Sequence, residues 1–180
     1  MELQIKNTNL EGVLELFIKS FEDDRGSFVK TYDYKTFSEN GITENFVEEF
    51  FTISKKGVFR GMHFQTPPHD HSKLVYCTSG EVIDFVTDLR INSETYGKTI
   101  QFSLSAEKYN MVYIPKGFAH GFYVLSEVAT MVYKVSSLHS PKHDTGILWN
   151  SLQITLPTDN LIISNRDNVF VSFSDFISPF

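Results

Sequence analysis

Apolar and polar residues alternate along most of this chain, the period-two pattern of strands with one buried face. Val13 to Lys19 reads as a first strand, Asp23-Asp24-Arg25-Gly26 as a turn, and Ser27 to Tyr32 as the returning strand. From Phe46 onward the pattern predicts strands at 46–54, 57–65, 73–78, 81–90, 99–104, 109–114, 118–125 and 128–137. One short helix interrupts the series, Asp33 to Asn40, with Asp33 as its N-cap and Gly41 placed to end it. Many evenly spaced strands with so little helix predict an all-β barrel or sandwich. The barrel is expected over about 46–137, with N-terminal strands at 13–32. A segment at 140–180, rich in Pro, Asp, Asn and Ser, is expected to pack across it, and no linker or repeat divides residues 1–180 into two domains.

Strand 81–90 alternates most cleanly. Ile83, Phe85, Thr87 and Leu89 share one face, and Val82, Asp84, Val86 and Asp88 the other. Two carboxylates on an apolar face belong either to a solvated edge or to a wet cavity inside a barrel. The pattern leaves both open.

Composition narrows the class. The chain has 180 residues, 41 % apolar and 21 % charged, enough to bury one domain's core and too apolar to be disordered. Seventeen Phe and eight Tyr suit a strand-rich aromatic interior. The one cysteine, Cys77, excludes an intrachain disulfide and any multi-thiolate metal site, and a buried structural thiol is its default. No apolar run approaches the ~18 residues of a membrane helix. Met1 to Lys6 lacks the basic-then-apolar order of a signal peptide, so a cytoplasmic protein is expected.

The formal charge of −6 argues against broad nucleic-acid binding but not against a small anion held by local cations. Only four residues are arginine: Arg25, Arg60, Arg90 and Arg166. The planar guanidinium is the better diphosphate ligand, so their placement matters.

Chemistry concentrates in a few segments. In Arg60-Gly61-Met62-His63-Phe64-Gln65 the histidine stands on a strand, where a packed core imidazole is the ordinary reading. The loop Pro67-Pro68-His69-Asp70-His71-Ser72 then delivers Lys73 to the next strand. A histidine base and a lysine cation at one cavity suit removal of a proton beside a carbonyl, because the cation stabilises the charge that develops on oxygen. Phe118, His120 and Phe122 share a strand face, and Tyr133 shares one with Met131 and Val135, where a lining aromatic is the bland reading. Asp167, next to Arg166, is either a surface turn or a carboxylate that orients the His63 imidazole. A metal site from His69, His71 and His120 is a competing reading, although Val75 and Tyr76 stand where a metal-binding cupin would carry glutamate.

Taken in order, Asp24-Arg25-Gly26, Lys55-Lys56-Gly57-Val58-Phe59-Arg60-Gly61-Met62-His63-Phe64-Gln65, Pro67-Pro68, Lys73, Pro115-Lys116-Gly117-Phe118-Ala119-His120-Gly121-Phe122 and Tyr133-Lys134 resemble the dTDP-4-dehydrorhamnose 3,5-epimerase family, from about Leu14 to Asp167. The resemblance implies a cupin-like jelly-roll barrel, usually a homodimer, that needs no metal or organic cofactor. Such enzymes invert centres beside the C4 ketone of a nucleoside-diphosphate 4-keto-6-deoxy sugar. It implies His63 as the base, Asp167 as its partner, Lys73 as the enolate stabiliser and Tyr133 as the acid on the opposite face. Arg25, Arg60 and His120 match substrate contacts, chiefly on the diphosphate side. Asp144 stands where the family often has glutamate, and Arg166 where it often has lysine.

Strict alternation puts Arg60 on the face opposite His63, so both serve one site only if the strand carries a bulge near Gly61. The chain departs from the family at Ser27, at Lys30 in place of glutamate, and at Glu48-Glu49-Phe50-Phe51-Thr52 in place of a Gln-Asp-Asn-His-Ser-like stretch. These positions hold the substrate in the family, and their change leaves the nucleotide open between thymidine and guanosine. Inversion at C3 alone, or at C3 and C5, is also open. A ketoisomerase, or a sugar-nucleotide binder on the same barrel, remains an alternative. Local support for a dimer is an amphipathic strand at Val13–Lys19 that can pair with another sheet edge.

Overall fold

Two antiparallel sheets face each other in the computed structural model, which describes residues 2–158 and 160–180. The strands are β1 (Leu3–Asn7), β2 (Leu14–Ile18), β3 (Phe21–Asp23), β4 (Gly26–Phe28), β5 (Glu48–Lys55), β6 (Phe59–Gln65), β7 (Lys73–Ser79), β8 (Glu81–Asp88), β9 (Thr99–Ser105), β10 (Asn110–Ile114), β11 (Phe118–Val124), β12 (Val128–Val135) and β13 (Asp144–Gly146). Six strands form one sheet in the order β1-β2-β10-β7-β12-β5, and five form the other in the order β13-β6-β11-β8-β9. Strands β3 and β4 make a separate hairpin. This is the jelly-roll architecture that the resemblance implies, within the barrel or sandwich that the strand spacing leads one to expect.

Alternation decides which residues meet between the sheets. Val75, Val82, Val86, Leu104, Val112, Phe122 and Met131, drawn from both sheets, form the central core. The outer face of the six-stranded sheet buries Leu16, Leu74 and Met111 under Phe37 of the helix α1 (Tyr34–Glu39). Asp33 caps that helix, accepting from the Thr36 amide at 2.9 Å. The outer face of the five-stranded sheet, with Phe59, Met62, Phe64 and Phe85, is covered by Trp149, Leu161, Phe173, Phe176 and Phe180 of the C-terminal segment. No helix among the described residues is long and apolar enough to cross a membrane.

Several expectations need correction. Strand β1 was not expected, although Leu3 and Ile5 alternate with Gln4 and Lys6; it pairs with β2 in register Leu3 to Ile18. With β10 on its other side, β2 has no free edge to offer a second subunit. The strand expected at 27–32 stops at Phe28, because Val29 and Tyr32 leave the hairpin to pack against the Phe37 cluster. Strand β8 ends at Asp88, whose carboxylate accepts from the Arg90 amide at 2.9 Å and from Ser93 and Thr95 hydroxyls at 2.6 Å, closing a turn. Burial opposes ionisation there, but the Arg90 guanidinium, donating to the same carboxylate at 2.8 Å, together with these hydrogen bonds holds the Asp88 carboxyl at about 2. Within the C-terminal segment, Asp144–Gly146 adds a strand to the edge of β6.

Candidate active site

Between the sheets lies a cavity of about 270 Å³, with His63, Lys73, His120 and Tyr133 in its walls. His63 and His120 are opposite partners on β6 and β11 of the five-stranded sheet. Lys73 on β7 and Tyr133 on β12 enter from the six-stranded sheet. The two sheets therefore supply different members of the set.

Arg60 and His63 both line this cavity despite their odd spacing. Three steps along β6, from Arg60 to His63, span only two along β11, from Phe122 to His120, so β6 carries one extra residue there. Gly61 stands in this bulge with φ of +148°, and a Cβ on it would lie 2.6 Å from Gly121 Cα. The irregularity expected near Gly61 is present.

His63 Nε2 donates to Asp167 Oδ1 at 2.9 Å. With Nε2 spent on a carboxylate, the lone pair of the neutral ring is on Nδ1. Asp167 lies in a single 3-10 turn, 3 % exposed, and its Oδ2 accepts the Gly61 amide at 3.2 Å. Burial works to raise its pKa, but the His63 and Gly61 hydrogen bonds outweigh it and hold the carboxyl below its ordinary range. Of the two readings of Asp167, the surface turn is excluded. Phe170 meets the His63 ring edge to face at 5.7 Å and limits its rotation.

Lys73 is buried, and its Nζ donates to the His63 carbonyl at 3.1 Å. Burial lowers its pKa to about 8, against the pull of the Asp144 and Asp84 charges. Behind the cavity wall a second dyad joins His120 Nε2 to Asp84 Oδ2 at 2.6 Å. Asp84 is fully buried, which places it inside the barrel and not at a solvated edge, and its Oδ1 has no hydrogen-bond partner among the described residues. Burial raises the Asp84 pKa and lowers that of His120, keeping the imidazole neutral. The Tyr133 phenol is buried too, and its pKa is pushed well up by that burial.

The mouth is polar. Arg60 Nε donates to Ser54 Oγ at 2.9 Å, and Arg166 pairs with Asp144 at 2.9 Å. Glu48 accepts the His139 amide at 2.8 Å, and Glu48, Phe50, Asp144 and Arg166 all line the opening. Two residues proposed from sequence lie elsewhere. Arg25 is at the tip of the β3–β4 hairpin, exposed and bound by its own Asp23, and Lys30 follows on an exposed stretch; neither lines the cavity of its own chain.

The histidines do not assemble a metal site. His120 Nε2 is taken by Asp84, the His69 ring packs at a tilt against His143 with centroids 4.6 Å apart, and His71 Nδ1 lies 3.2 Å from the Gln65 amide. Among the described residues no three His, Cys, Asp or Glu side chains are grouped to hold a metal ion. His71 instead lines the cavity; burial lowers its pKa to about 3, so it stays neutral. Cys77 is buried and its thiol donates to the Ser79 carbonyl at 3.0 Å. Sequence reasoning missed Gln65, His139 and Phe122 as lining residues. For Phe122 the shared face with His120 was a usable signal.

The chain is similar to known proteins over nearly its whole length. A dTDP-4-dehydrorhamnose 3,5-epimerase from Shigella flexneri is 40 % identical over 168 residues, covering 92 % of this chain and 93 % of that protein. The crystal structure of a dTDP-6-deoxy-D-glucose-3,5-epimerase from Legionella pneumophila, in complex with dTDP-4-keto-L-rhamnose, superposes with a TM-score of 0.94 at 34 % identity, covering 98 % of this chain and 95 % of that one. A dTDP-4-dehydrorhamnose 3-epimerase from Streptomyces niveus is 33 % identical over 92 % of this chain and 81 % of its own. The family model for dTDP-4-dehydrorhamnose 3,5-epimerase matches residues 7–175, and with a cavity walled by a His–Asp dyad, a buried lysine and a buried tyrosine, the chain belongs to that family.

Proposed function

We propose that this protein is an isomerase that inverts carbon centres beside the C4 ketone of a dTDP-linked 4-keto-6-deoxy sugar, without a cofactor. One observation carries the reading: His63 and Tyr133 reach a single cavity from facing sheets, with the Lys73 ammonium in the same wall. The Nδ1 of His63 removes the proton α to the ketone, and Asp167 stabilises the imidazolium that forms. The bond electrons move to the C4 oxygen, where Lys73 stabilises the enolate. Tyr133 then gives its proton to the opposite face. A base that returned its own proton to the original face would restore the starting isomer, so inversion needs donors on two sides.

The cavity is small for a whole nucleotide sugar. It takes the sugar ring, and Arg60 and Arg166 at the mouth meet the diphosphate as guanidinium forks. The names of the relatives favour thymidine over guanosine despite the changes at Lys30 and Phe50. The same names support inversion at C3 and C5, with C3 alone as the second reading because one relative is a 3-epimerase.

A homodimer belongs to this reading. The hairpin that carries Arg25 exposes Phe21 and Phe28, each 61 % accessible, and the outer strand β5 exposes Phe51 and Ile53. Docking the hairpin on a second copy covers these rings and brings Arg25 of the partner subunit to the diphosphate. One buried, free thiol fits a cytoplasmic setting.

Proton NMR in D2O tests the reading, with dTDP- and GDP-linked 4-keto-6-deoxy sugars in parallel. Deuterium entering C3 and C5 of the dTDP sugar is the expected result. Exchange with the GDP sugar alone would reassign the nucleotide, and no exchange with either would reduce the protein to a binder or a ketoisomerase.

A further inference from the structure

The ring of Phe50 lies almost flat against that of Tyr133, with centroids 4.8 Å apart and planes 14° from parallel. The two residues are directly opposed on β5 and β12, and both line the cavity. Tyr133 also meets the His120 ring nearly edge to face, at 6.0 Å and 71°. Its phenolic oxygen has one hydrogen-bond contact among the described residues, Thr52 Oγ1 at 3.4 Å, which is long for two hydroxyls. Aromatic packing, more than hydrogen bonding, therefore decides where the phenol points.

Phe50 itself is 43 % exposed, on a strand that among the described residues has a neighbour on one side only. The barrel gains little core from a ring in that position. What the ring does is cover Tyr133, which is left only 6 % exposed.

We propose that Phe50 is a positioning residue for the reaction: its stack holds the Tyr133 phenol at the angle from which it protonates the enolate, and so sets how often an enolate is inverted instead of restored. The inference rests on Tyr133 being the acid, as proposed above. After His63 takes the carbon's proton, two fates compete. In inversion the Tyr133 O–H proton passes to the opposite face of the carbon, leaving a phenolate that recovers a proton from water. In restoration the His63 imidazolium, having exchanged its proton with solvent, returns a deuteron to the original face. Burial keeps the phenol protonated until that step, and removing Phe50 loosens both its orientation and its cover.

The test measures, in D2O, the ratio of deuterated but uninverted sugar to inverted product, at whichever carbons the wild type inverts. Phe50→Leu should raise that ratio about fivefold, the scale of losing one aromatic stack, and Phe50→Tyr, which keeps the stack, should restore it. Phe50→Thr, a strand former without a ring, serves if the leucine variant does not fold. Exchange and inversion falling together at a constant ratio would overturn the proposal and leave Phe50 a binding or folding residue. Tyr133→Phe is run alongside. If it shifts the ratio and Phe50→Leu does not, only the Phe50 proposal fails; if Tyr133→Phe leaves the ratio unchanged, the assignment of the acid fails and takes this proposal with it.

Discussion

The ammonium of Lys73 donates to the main-chain carbonyl of His63 at 3.1 Å, a hydrogen bond that runs from β7 in one sheet to β6 in the other. Lys73 is thereby held at a fixed offset from His63 by the backbone of His63 itself. In the proposed mechanism, the proton and the charge it leaves behind are handled by these two groups, which cannot drift apart without breaking a buried contact.

The same burial predicts that the proposed reaction is sensitive to alkali. In that mechanism Lys73 is charged when it stabilises the enolate, and its pKa is lowered to about 8 from 10.5. Turnover is expected to fall as pH rises through about 8, measured as the rate of solvent deuterium incorporation. Stability moves the other way: between these two values the unfolded chain binds more protons than the folded one, so this residue's contribution to stability rises with pH. Lys73→Met should slow exchange by about 10²–10³-fold and remove this limb of the profile. A profile flat to pH 10 would show that Lys73 is not the cation used.

Asp167 is expected to act through His63. His63→Ala should reduce deuterium incorporation by about 10²–10⁴-fold, the range for a positioned general base. Asp167→Asn should give a smaller loss, with a folded protein by circular dichroism, because the ring keeps a neighbour but loses the charge that stabilises the imidazolium. Unchanged exchange in His63→Ala would remove it as the base.

Gly61→Ala addresses the bulge. The new methyl would meet Gly121 Cα at 2.6 Å in a backbone conformation that side chains rarely adopt. A loss of about 2–4 kcal/mol is expected in chemical denaturation. A variant as stable as the wild type would mean that β6 can shed its extra residue, and then Arg60 and His63 should no longer serve one site.

Treatment with a chelator should leave the exchange rate where it was, because the three histidines of the metal reading are engaged elsewhere. Loss of activity, restored by one added divalent metal, would overturn the cofactor-independent mechanism.

Much of this was legible in the sequence where the signal is local. The capping carboxylate of Asp33 and the alternation through β9 to β12 depend on neighbours a few residues away, and they stand within two residues of where expected. The conflict between Arg60 and His63 was legible as well, because a parity argument needs only their spacing. What alternation did not reveal are residues whose place is set by distant partners. His139 reaches the cavity on an irregular stretch after β12, held by Glu48 ninety-one positions earlier. Asp84 gave no sign of which side of β8 was the interior until His120 was seen to claim it. Arg25 and Lys30 show the limit of motif reasoning: the first falls within a matching segment and the second at a position where the family holds substrate, yet a single chain does not bring either to its own cavity.

The extra residue in β6 has a consequence for how this site can diversify. Upstream of Gly61 the strand presents odd-numbered side chains to the outer core, and downstream it presents even-numbered ones. The strand is thus two short rulers joined out of step, one carrying Arg60 and the other His63. Under the proposed reaction, substitution on the first ruler retunes which diphosphate-linked nucleotide is welcomed while the second keeps the proton chemistry in place.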